Sequence, residues 1–278
     1  MYDSTRSLIT LSGADAETFL QGLVTQDVLG MHEGQMRFGA MLTPQGKWQH
    51  DFFIIKTADG FALDVAQTQR DTLLQKLKLY KLRAAVTIAT DETQQLYYLP
   101  PNDACGVPDA RDGRLPRRLW QPASEPAPQH ALPTAAYGDA RYALGIPEGG
   151  VEITANETAM DASFDVLHGI SFTKGCYVGQ EVIARMHYKN IARKGWVQLR
   201  FDAPPALTCP APVMLGDATL AELRGVRGAY GIAYARFDAV RDALDAKADV
   251  TVDGTRATLA LPDWQVDKYT RFLTEQNS

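Results

Sequence analysis

The feature that most constrains the fold is a concentration of proline between residues 100 and 133. Eight of the chain's 15 prolines lie in these 34 residues. Because proline lacks a backbone N–H and fixes φ, a regular helix is not expected there. Tyr97-Tyr98 and Leu119-Trp120 still indicate short strands, so we expect an irregular part of a folded domain rather than a linker.

Before this region, helical and strand patterns alternate. A helix is predicted from Ser12 to about Leu23, with Ser12 and Asp15 as a capping box, and a second one from Thr68 to Leu82. Strands are predicted at 38–42, 52–56, 61–65 and 86–89, with residues 57–60 as a hairpin turn.

After Lys194 the pattern changes to closely spaced strand-like runs. These runs cover residues 196–201, 213–215, 219–223, 230–237, 249–252 and 255–261. Asp253-Gly254 is a strong hairpin turn between the last two. Many short strands joined in this way indicate a small antiparallel barrel or sandwich.

Charge and cysteine usage narrow the functional class. The 278 residues carry a formal net charge of −5, which disfavours a uniformly cationic nucleic-acid binder. Three widely spaced cysteines, Cys105, Cys176 and Cys209, offer neither a disulfide framework nor a paired metal site, so a reducing compartment fits best. No apolar run reaches the ~18 residues of a membrane span, and we expect a cytoplasmic protein without a membrane partner.

The most unusual segment reads Lys174-Gly175-Cys176-Tyr177-Val178-Gly179-Gln180-Glu181. A nearby cation favours thiolate over thiol, which makes Cys176 a candidate nucleophile or metal ligand. Gln180 and Glu181 suit hydrogen bonds to a heterocycle, and Tyr177 suits stacking on it. The alternative is ordinary structure, since many free cysteines are small buried apolar residues and paired glycines often mark a tight turn.

This segment resembles the K-G-C-[aromatic]-x-G-Q-E signature of the YgfZ family, the folate-binding, tRNA-modification-linked relatives of the glycine-cleavage T protein. Further matches lie at residues 11–27, 43–47, 80–83 and 145–147, so the resemblance extends from about residue 8 to residue 195.

The resemblance implies an α+β architecture of the T-protein (GcvT) type. Two interleaved α+β subdomains would surround a central opening within residues 1–194, with an inserted part at about 49–134. A C-terminal antiparallel β-barrel would follow at 195–278.

The resemblance also implies a function. It is a folate-binding accessory protein that supports iron–sulfur cluster assembly or repair, and tRNA modification by methylthiolation, through a reactive Cys176. Lys174 and Glu181 would assist the cysteine as its motif neighbours. Expected partners are iron–sulfur enzymes of tRNA modification, and the expected cofactor is tetrahydrofolate or a derivative.

A folate needs stacking aromatic rings, amides or carboxylates for the pterin edge, and cations for the glutamate tail. The chain has side chains of these types near its motifs. The candidate contacts are Gln45, Lys47, Tyr80, Arg83, Tyr177, Gln180, Glu181 and Arg185.

Two alternatives stay open. A folate-dependent one-carbon or aminomethyl transferase requires an acid or base, for which Asp51 is the candidate. A non-catalytic scaffold would bind tRNA or an enzyme through residues 185–194, where several cations and no acid surround Tyr188, although short basic runs are usually solvated surface.

Overall fold

The computed structural model describes residues 1–189 and 191–276. The chain folds as two compact units, one formed by residues 1–137 and 167–180 and the other by residues 138–166 and 181 onward. The domain limits expected from the resemblance, at residues 49, 134 and 194, stay predictions.

The first unit is built on a five-stranded antiparallel sheet with strand order β2-β3-β4-β1-β5. Its elements are β1 (Arg6–Ser12), α1 (Ala16–Gln21), β2 (Met36–Leu42), β3 (Trp48–Thr57), β4 (Gly60–Ala66), α2 (Arg70–Lys81), β5 (Thr87–Asp91), β6 (Gln94–Leu99) and β7 (Arg117–Pro122). The hairpin at 57–60 and the second helix are confirmed, while β1 had no prediction.

Strand alternation gives the sheet two different faces. One face contributes Phe52, Ile54, Leu63 and Val65 to an apolar core shared with α1 and α2. On the other face, the Phe53 ring lies under the buried guanidinium of Arg118, 3.9 Å from its carbon to the ring centre.

That guanidinium belongs to a buried ionic cluster formed with the proline-rich region. Arg118 donates to Asp64 over 2.7 Å and to the Tyr137 hydroxyl over 2.5 Å, and Tyr137 in turn donates to Asp109 over 2.9 Å. β6 and β7 pair beside it, with Leu96 opposite Trp120. The expectation that residues 100–133 are an irregular but folded region with short strands is therefore confirmed.

The predicted start of the first helix is wrong. Ser12 is the last residue of β1, and the helix begins only at Ala16. Gly13 follows β1 with φ 115°, so the extended conformation ends there, before the helix begins. The Asp15 carboxylate makes no cap to its own helix and instead accepts a 2.7 Å hydrogen bond from the backbone N–H of Ala85.

Helices α3 (Ala135–Leu144) and α4 (Gln180–Tyr188) span the division between the units in sequence. The second unit then holds a closed six-stranded barrel, ordered β10-β11-β8-β13-β12-β9. Its elements are β8 (Lys194–Arg200), β9 (Ala211–Leu215), β10 (Ala218–Arg227), β11 (Tyr230–Arg236), α5 (Phe237–Asp245), β12 (Asp249–Val252), β13 (Thr255–Ala260) and α6 (Val266–Gln276).

The antiparallel barrel is confirmed, including its last hairpin. Asp253 and Gly254 both have positive φ, at 46° and 77°, which is the two-residue turn that the dipeptide predicts. The strand predicted to reach Phe237 stops at Arg236, because Phe237 begins α5 and is buried against Tyr269 and Phe272 of α6.

Candidate functional site

The signature segment forms an exposed tip of two residues between two buried anchors. Lys174 is 7% exposed and Tyr177 is 8% exposed, whereas Gly175 and Cys176 between them are exposed. A Cβ added to Gly175 would have no neighbour within 4 Å. The Cys176 thiol is therefore open to solvent and to a large partner.

The first anchor is the Lys174 ammonium, which donates to three backbone carbonyls. Its Nζ lies 2.7 Å from the oxygen of Gln21, 2.6 Å from that of Val24 and 2.8 Å from that of Gln26. Burial lowers the pKa of Lys174 to about 8, and the charge of Asp27 opposes this shift. With all three donors in use, Lys174 fixes the backbone before the thiol.

The segment that supplies these carbonyls also clamps the chain just before Lys174. The Thr25 hydroxyl donates to the carbonyl of Gly169 over 2.6 Å, and the Gln26 amide donates to that of His168 over 2.7 Å. The N–H of Ser171 returns a 3.0 Å hydrogen bond to the Thr25 carbonyl. Two motifs some 150 residues apart are thus joined by side-chain and backbone bonds.

The second anchor is formed by residues 177–179. The Tyr177 ring centre lies 5.0 Å from the Lys174 ammonium, and burial raises the pKa of its hydroxyl. Val178 packs against the apolar core of the sheet. Gly179 has φ 86°, and a Cβ there would lie 2.6 Å from the Thr43 carbonyl oxygen, so only glycine fits.

That close approach brings the 43–47 turn against the signature segment. Gln45 and Lys47 are both exposed on this turn. The Gln180 amide, at the start of α4, lies 3.5 Å from the Gly175 carbonyl oxygen. Of these predicted site residues, Gln180 therefore reaches the tip at Gly175, and Gln45 and Lys47 belong to the turn that lies against Gly179.

Other candidate residues lie on separate elements. Tyr80 and Arg83 are exposed at the C-terminal end of α2, and no hydrogen bond or ion pair within residues 1–189 and 191–276 joins them to the signature. Glu181 and Arg185 are exposed on α4, where they border an apolar cleft of about 300 Å³ that is completed by Val182, Met186 and Ile191.

The candidate acid Asp51 is buried inside the first unit. Its carboxylate accepts a 3.1 Å hydrogen bond from the Trp48 indole N–H. The neighbouring His50 is also buried, and burial lowers its pKa to about 4 while a bond to Gln69 opposes the shift. β3 therefore carries two adjacent buried polar side chains near its start, just after the 43–47 turn.

Sequence reasoning missed the clamp residues as parts of the site. Gln21, Thr25 and Gln26 had been noted only as matches to a family pattern. Their spacing as Gln21-Gly22 and Thr25-Gln26-Asp27 was the available signal, but the carbonyl groups that bind Lys174 carry no signature of their own.

Two family models match the chain. The GCVT N-terminal domain matches residues 3–102, and the C-terminal β-barrel domain of CAF17 matches residues 193–267. The tRNA-modifying protein YgfZ of Sodalis glossinidius is 30% identical over 76% of this chain and 74% of its own length. The chain belongs to the YgfZ/IBA57 family of GcvT-like proteins.

Further YgfZ/IBA57 relatives come from eukaryotes. The mitochondrial iron–sulfur cluster assembly factor IBA57 of Homo sapiens is 26% identical over 93% of this chain and 83% of its own length. The homologue from Neurospora crassa is 31% identical over 69% of this chain, which spans only 51% of that longer relative.

The fold of this YgfZ/IBA57 member is that of GcvT. The crystal structure of aminomethyltransferase T from Bartonella henselae superposes with a TM-score of 0.70 and 16% identity, covering 93% of this chain and 83% of the other. At this identity the likeness shows the fold alone.

The expectation of a cytoplasmic protein is wrong, since the IBA57 relatives from Neurospora crassa, Homo sapiens and Mus musculus are mitochondrial. Widely spaced cysteines do not distinguish between one reducing compartment and another. No helix within residues 1–189 and 191–276 is both long enough and apolar enough to cross a membrane.

Proposed function

We propose that this chain is an accessory factor for the assembly or repair of iron–sulfur clusters, with the Cys176 thiol as its working group. The observation that carries the proposal is the position of that thiol, exposed on a two-residue tip whose flanking residues, Lys174 and Tyr177, are buried. The human and Neurospora crassa relatives, which are iron–sulfur cluster assembly factors, support it.

The chemistry required of Cys176 is coordination of iron. The thiol loses its proton when it binds the metal, and a single thiolate supplies one of the four ligands that a cluster normally takes. Within residues 1–189 and 191–276, no group of three or more His, Cys, Asp or Glu side chains is placed to hold a metal ion. The cluster is therefore cargo, and a partner protein provides its remaining ligands.

An exposed tip that is anchored on both sides suits such sharing. A partner can approach Cys176 because the residue is exposed and its neighbour Gly175 has no side chain. Lys174 acts as a positioning residue, since its ammonium is committed to three carbonyls. The clients we propose are iron–sulfur enzymes that methylthiolate tRNA, in keeping with the tRNA-modifying YgfZ relative.

Complementation tests the role of the thiol. A strain lacking the gene would receive the wild-type chain, Cys176→Ala or Cys105→Ala, with tRNA methylthiolation and the activity of an iron–sulfur enzyme as readouts. Cys105 is the matched control because it is also an exposed free cysteine. We expect rescue by the wild type and by Cys105→Ala only; equal rescue by Cys176→Ala would refute the proposal.

A folate is the proposed cofactor, and the residues around the tip fit it in part. Gln45 and Gln180 offer amides for a pterin edge, and the exposed Lys47 offers a cation for a glutamate carboxylate. The Tyr177 ring is only 8% exposed, so its stacking capacity is largely used inside the protein. When bound, a tetrahydrofolate supplies one-carbon or reducing chemistry beside the thiol.

Titration with tetrahydrofolate tests this part separately. We expect a higher melting temperature and a change in tryptophan fluorescence, and both should weaken in Lys47→Ala. Lys247→Ala is the control, since Lys247 lies in the second unit after α5. No response of the wild-type chain to tetrahydrofolate would remove the cofactor from the account and leave the thiol proposal standing.

Direct contact with tRNA is a second candidate function, favoured by one surface. Arg185, Lys189, Arg193 and Lys194 are exposed, and Tyr188 among them is 74% exposed. Cations with an accessible aromatic ring suit a nucleic-acid backbone and an unstacked base. Charge reversal of these four residues should abolish tRNA binding in a filter assay, and unchanged binding would exclude this surface.

The one-carbon transferase alternative gains nothing from the position of Asp51. Its carboxylate is buried and accepts the Trp48 indole N–H, as a structural residue does. Turnover of a one-carbon folate by the purified chain, abolished by Asp51→Asn and unaffected by Cys176→Ala, is the result that would favour a transferase over an accessory factor.

A further inference from the structure

The C-terminal end of α2 exposes an apolar patch, which we call the α2 knob and define as residues 78–83. Leu79 is 72% exposed, Tyr80 is 42% exposed and Leu82 is 87% exposed. Single exposed apolar residues are common on soluble proteins, but here three lie within four positions at one end of a helix. Such patches mark interaction sites more often than chance exposure does.

The backbone of the α2 knob is strained at its most exposed residue. Leu82 has φ 45° and ψ −108°, and the N–H of Ala84 donates to the Lys81 carbonyl over 2.8 Å. These angles belong to the first central position of a type II′ turn, which glycine dominates. A non-glycine residue held there costs on the order of 1–3 kcal/mol.

The Leu82 side chain, 87% exposed, does not compensate for this strain by packing among the described residues. Leu82 is the most exposed large apolar residue among those that the structure describes. The turn directs a leucine outward where a glycine would relax the backbone. An outward leucine at a position that glycine would occupy without strain points to a contact outside the chain.

Cations surround the apolar residues. Lys78, Lys81 and Arg83 form no ion pair with any acidic side chain in residues 1–189 or 191–276. The helix dipole favours Lys78 and Lys81 in the last turn of α2, but Arg83 lies beyond the helix. In a chain of net charge −5, this is a local surface of the opposite sign.

We propose that the α2 knob docks a protein partner whose carboxylates surround an apolar pocket that receives Leu82. The positive charge selects an acidic surface. The fixed turn selects a protein rather than a lipid bilayer, since a bilayer takes up apolar side chains whatever their backbone geometry. The docking surface includes neither Cys176 nor its anchors, so the proposal stands even if the thiol chemistry does not.

Site-specific photo-crosslinking identifies the partner. A benzophenone amino acid would replace Leu82 in the full chain inside its host cell, and in a parallel strain it would replace Leu29, which is 47% exposed elsewhere in the first unit. We expect a protein product unique to position 82, with an acidic patch. Products shared by both positions, or a product without such a patch, would overturn the proposal.

Binding of the purified product then decides the mechanism. Burial of a leucine side chain predicts that Leu82→Gly weakens binding on the order of 10-fold to 100-fold. Charge reversal at Lys78 and Arg83 should also weaken binding, and this effect should be larger at low salt than at high salt. Cys176→Ala should bind as the wild type does. Wild-type affinity of Leu82→Gly would contradict the docking role.

Thermal stability provides the matched control. Leu82→Gly relieves strain and should leave the melting temperature unchanged or raise it by about 1–4 °C, whereas Leu79→Gly within the helix should lower it. A clear loss of stability in Leu82→Gly would contradict the strain. Binding to vesicles of phosphatidylcholine and phosphatidylserine in about a 3:1 ratio, lost in Leu82→Gly, would replace the protein partner with a membrane.

Discussion

Two loops of the first unit each expose a cysteine, and they are held in different ways. The loop around Cys105 is held by partners close in sequence, since Asp103 accepts the N–H of Cys105 over 2.8 Å and the Arg117 guanidinium donates to the Cys105 carbonyl over 2.8 Å. The loop around Cys176 is held by Lys174, whose three partners come from a segment about 150 residues away.

The difference shows that exposure alone does not identify a working thiol. An Asp carboxylate commonly accepts the backbone N–H two residues later, so a turn of this kind forms without help from the rest of the fold. A buried ammonium with three carbonyl partners depends on the whole first unit being folded. We therefore expect changes to the anchors of Cys176 to affect both folding and function, and a change of Asp103, whose carboxylate accepts the N–H of Cys105, to affect neither strongly.

Removing the ammonium gives the largest expected effect. Lys174→Met leaves three carbonyl groups without their donor, and we expect a loss of about 3–5 kcal/mol in the free energy of unfolding. Urea unfolding measures it, with the exposed Lys47→Met as control. A loss below about 1 kcal/mol would place the ammonium among dispensable surface groups.

The two regions should also differ in their response to acid, because His50 is buried in β3, the strand that follows the 43–47 turn. His50 has a pKa of about 4 in the folded chain, below its ordinary 6.5. The unfolded chain therefore binds the proton first as pH falls from 6.5 to 4, and about 3 kcal/mol of stability should be lost over that range. At higher pH this contribution is fully present.

The buried Asp109 carboxylate, which follows Cys105 in the chain, should not contribute to this loss of stability at low pH. Burial raises the pKa of Asp109, but the guanidinium groups of Arg111 and Arg118 outweigh burial and hold this pKa below its usual range. Asp109 therefore stays charged as the pH falls from 6.5 to 4. Unfolding monitored at pH 7 and pH 4.5 should show a smaller loss in His50→Gln than in the wild type. Equal losses would assign the acid sensitivity to another group.

Gly179→Ala should lower the free energy of unfolding by about 2–3 kcal/mol, because the new Cβ meets the Thr43 carbonyl oxygen at 2.6 Å. Gly216→Ala is the control, since Gly216 also has positive φ, at 57°, but has open space around it. The control should lose only about 1 kcal/mol. Similar melting temperatures for both variants would mean that the 43–47 turn moves aside freely.

The smallest effect is expected at the clamp hydroxyl. Thr25→Val keeps the shape of the side chain and removes both hydrogen bonds of the hydroxyl, the 2.6 Å bond to the Gly169 carbonyl and the 2.9 Å bond from the Ala40 N–H, for an expected loss of about 1–2 kcal/mol. Calorimetry measures the change, and Thr274→Val on the exposed surface of α6 should be neutral. A neutral Thr25→Val would remove this hydroxyl from the clamp.

The sequence predicted those parts of the fold that depend on local pattern. The Asp253-Gly254 turn and the barrel strands follow from turn chemistry and alternation, and the structure confirms them. The capping box at Ser12 failed because Gly13 allowed the chain to leave a strand there, and Asp15 found a long-range partner in Ala85. The helix α6 was missed despite an apolar spacing at Tyr269 and Phe272.

The candidate site was predictable in its residues and not in its construction. The signature pointed to Cys176 through a family pattern, and the structure places that thiol at the surface. The roles of Gln21, Val24 and Gln26 rest on their backbone carbonyls, which every residue possesses. Only the tertiary structure brings those carbonyls to the Lys174 ammonium, so local sequence reasoning had no means of finding them.

The most direct test of the account is repair of a damaged enzyme in vitro. A purified iron–sulfur enzyme that has lost activity by oxidation would be incubated with iron, sulfide, a thiol reductant and either the wild-type chain, Cys105→Ala or Cys176→Ala. We predict that the first two accelerate the return of activity and that Cys176→Ala does not. Acceleration by Cys176→Ala equal to that of the wild type would contradict the claim that this exposed thiol does the work.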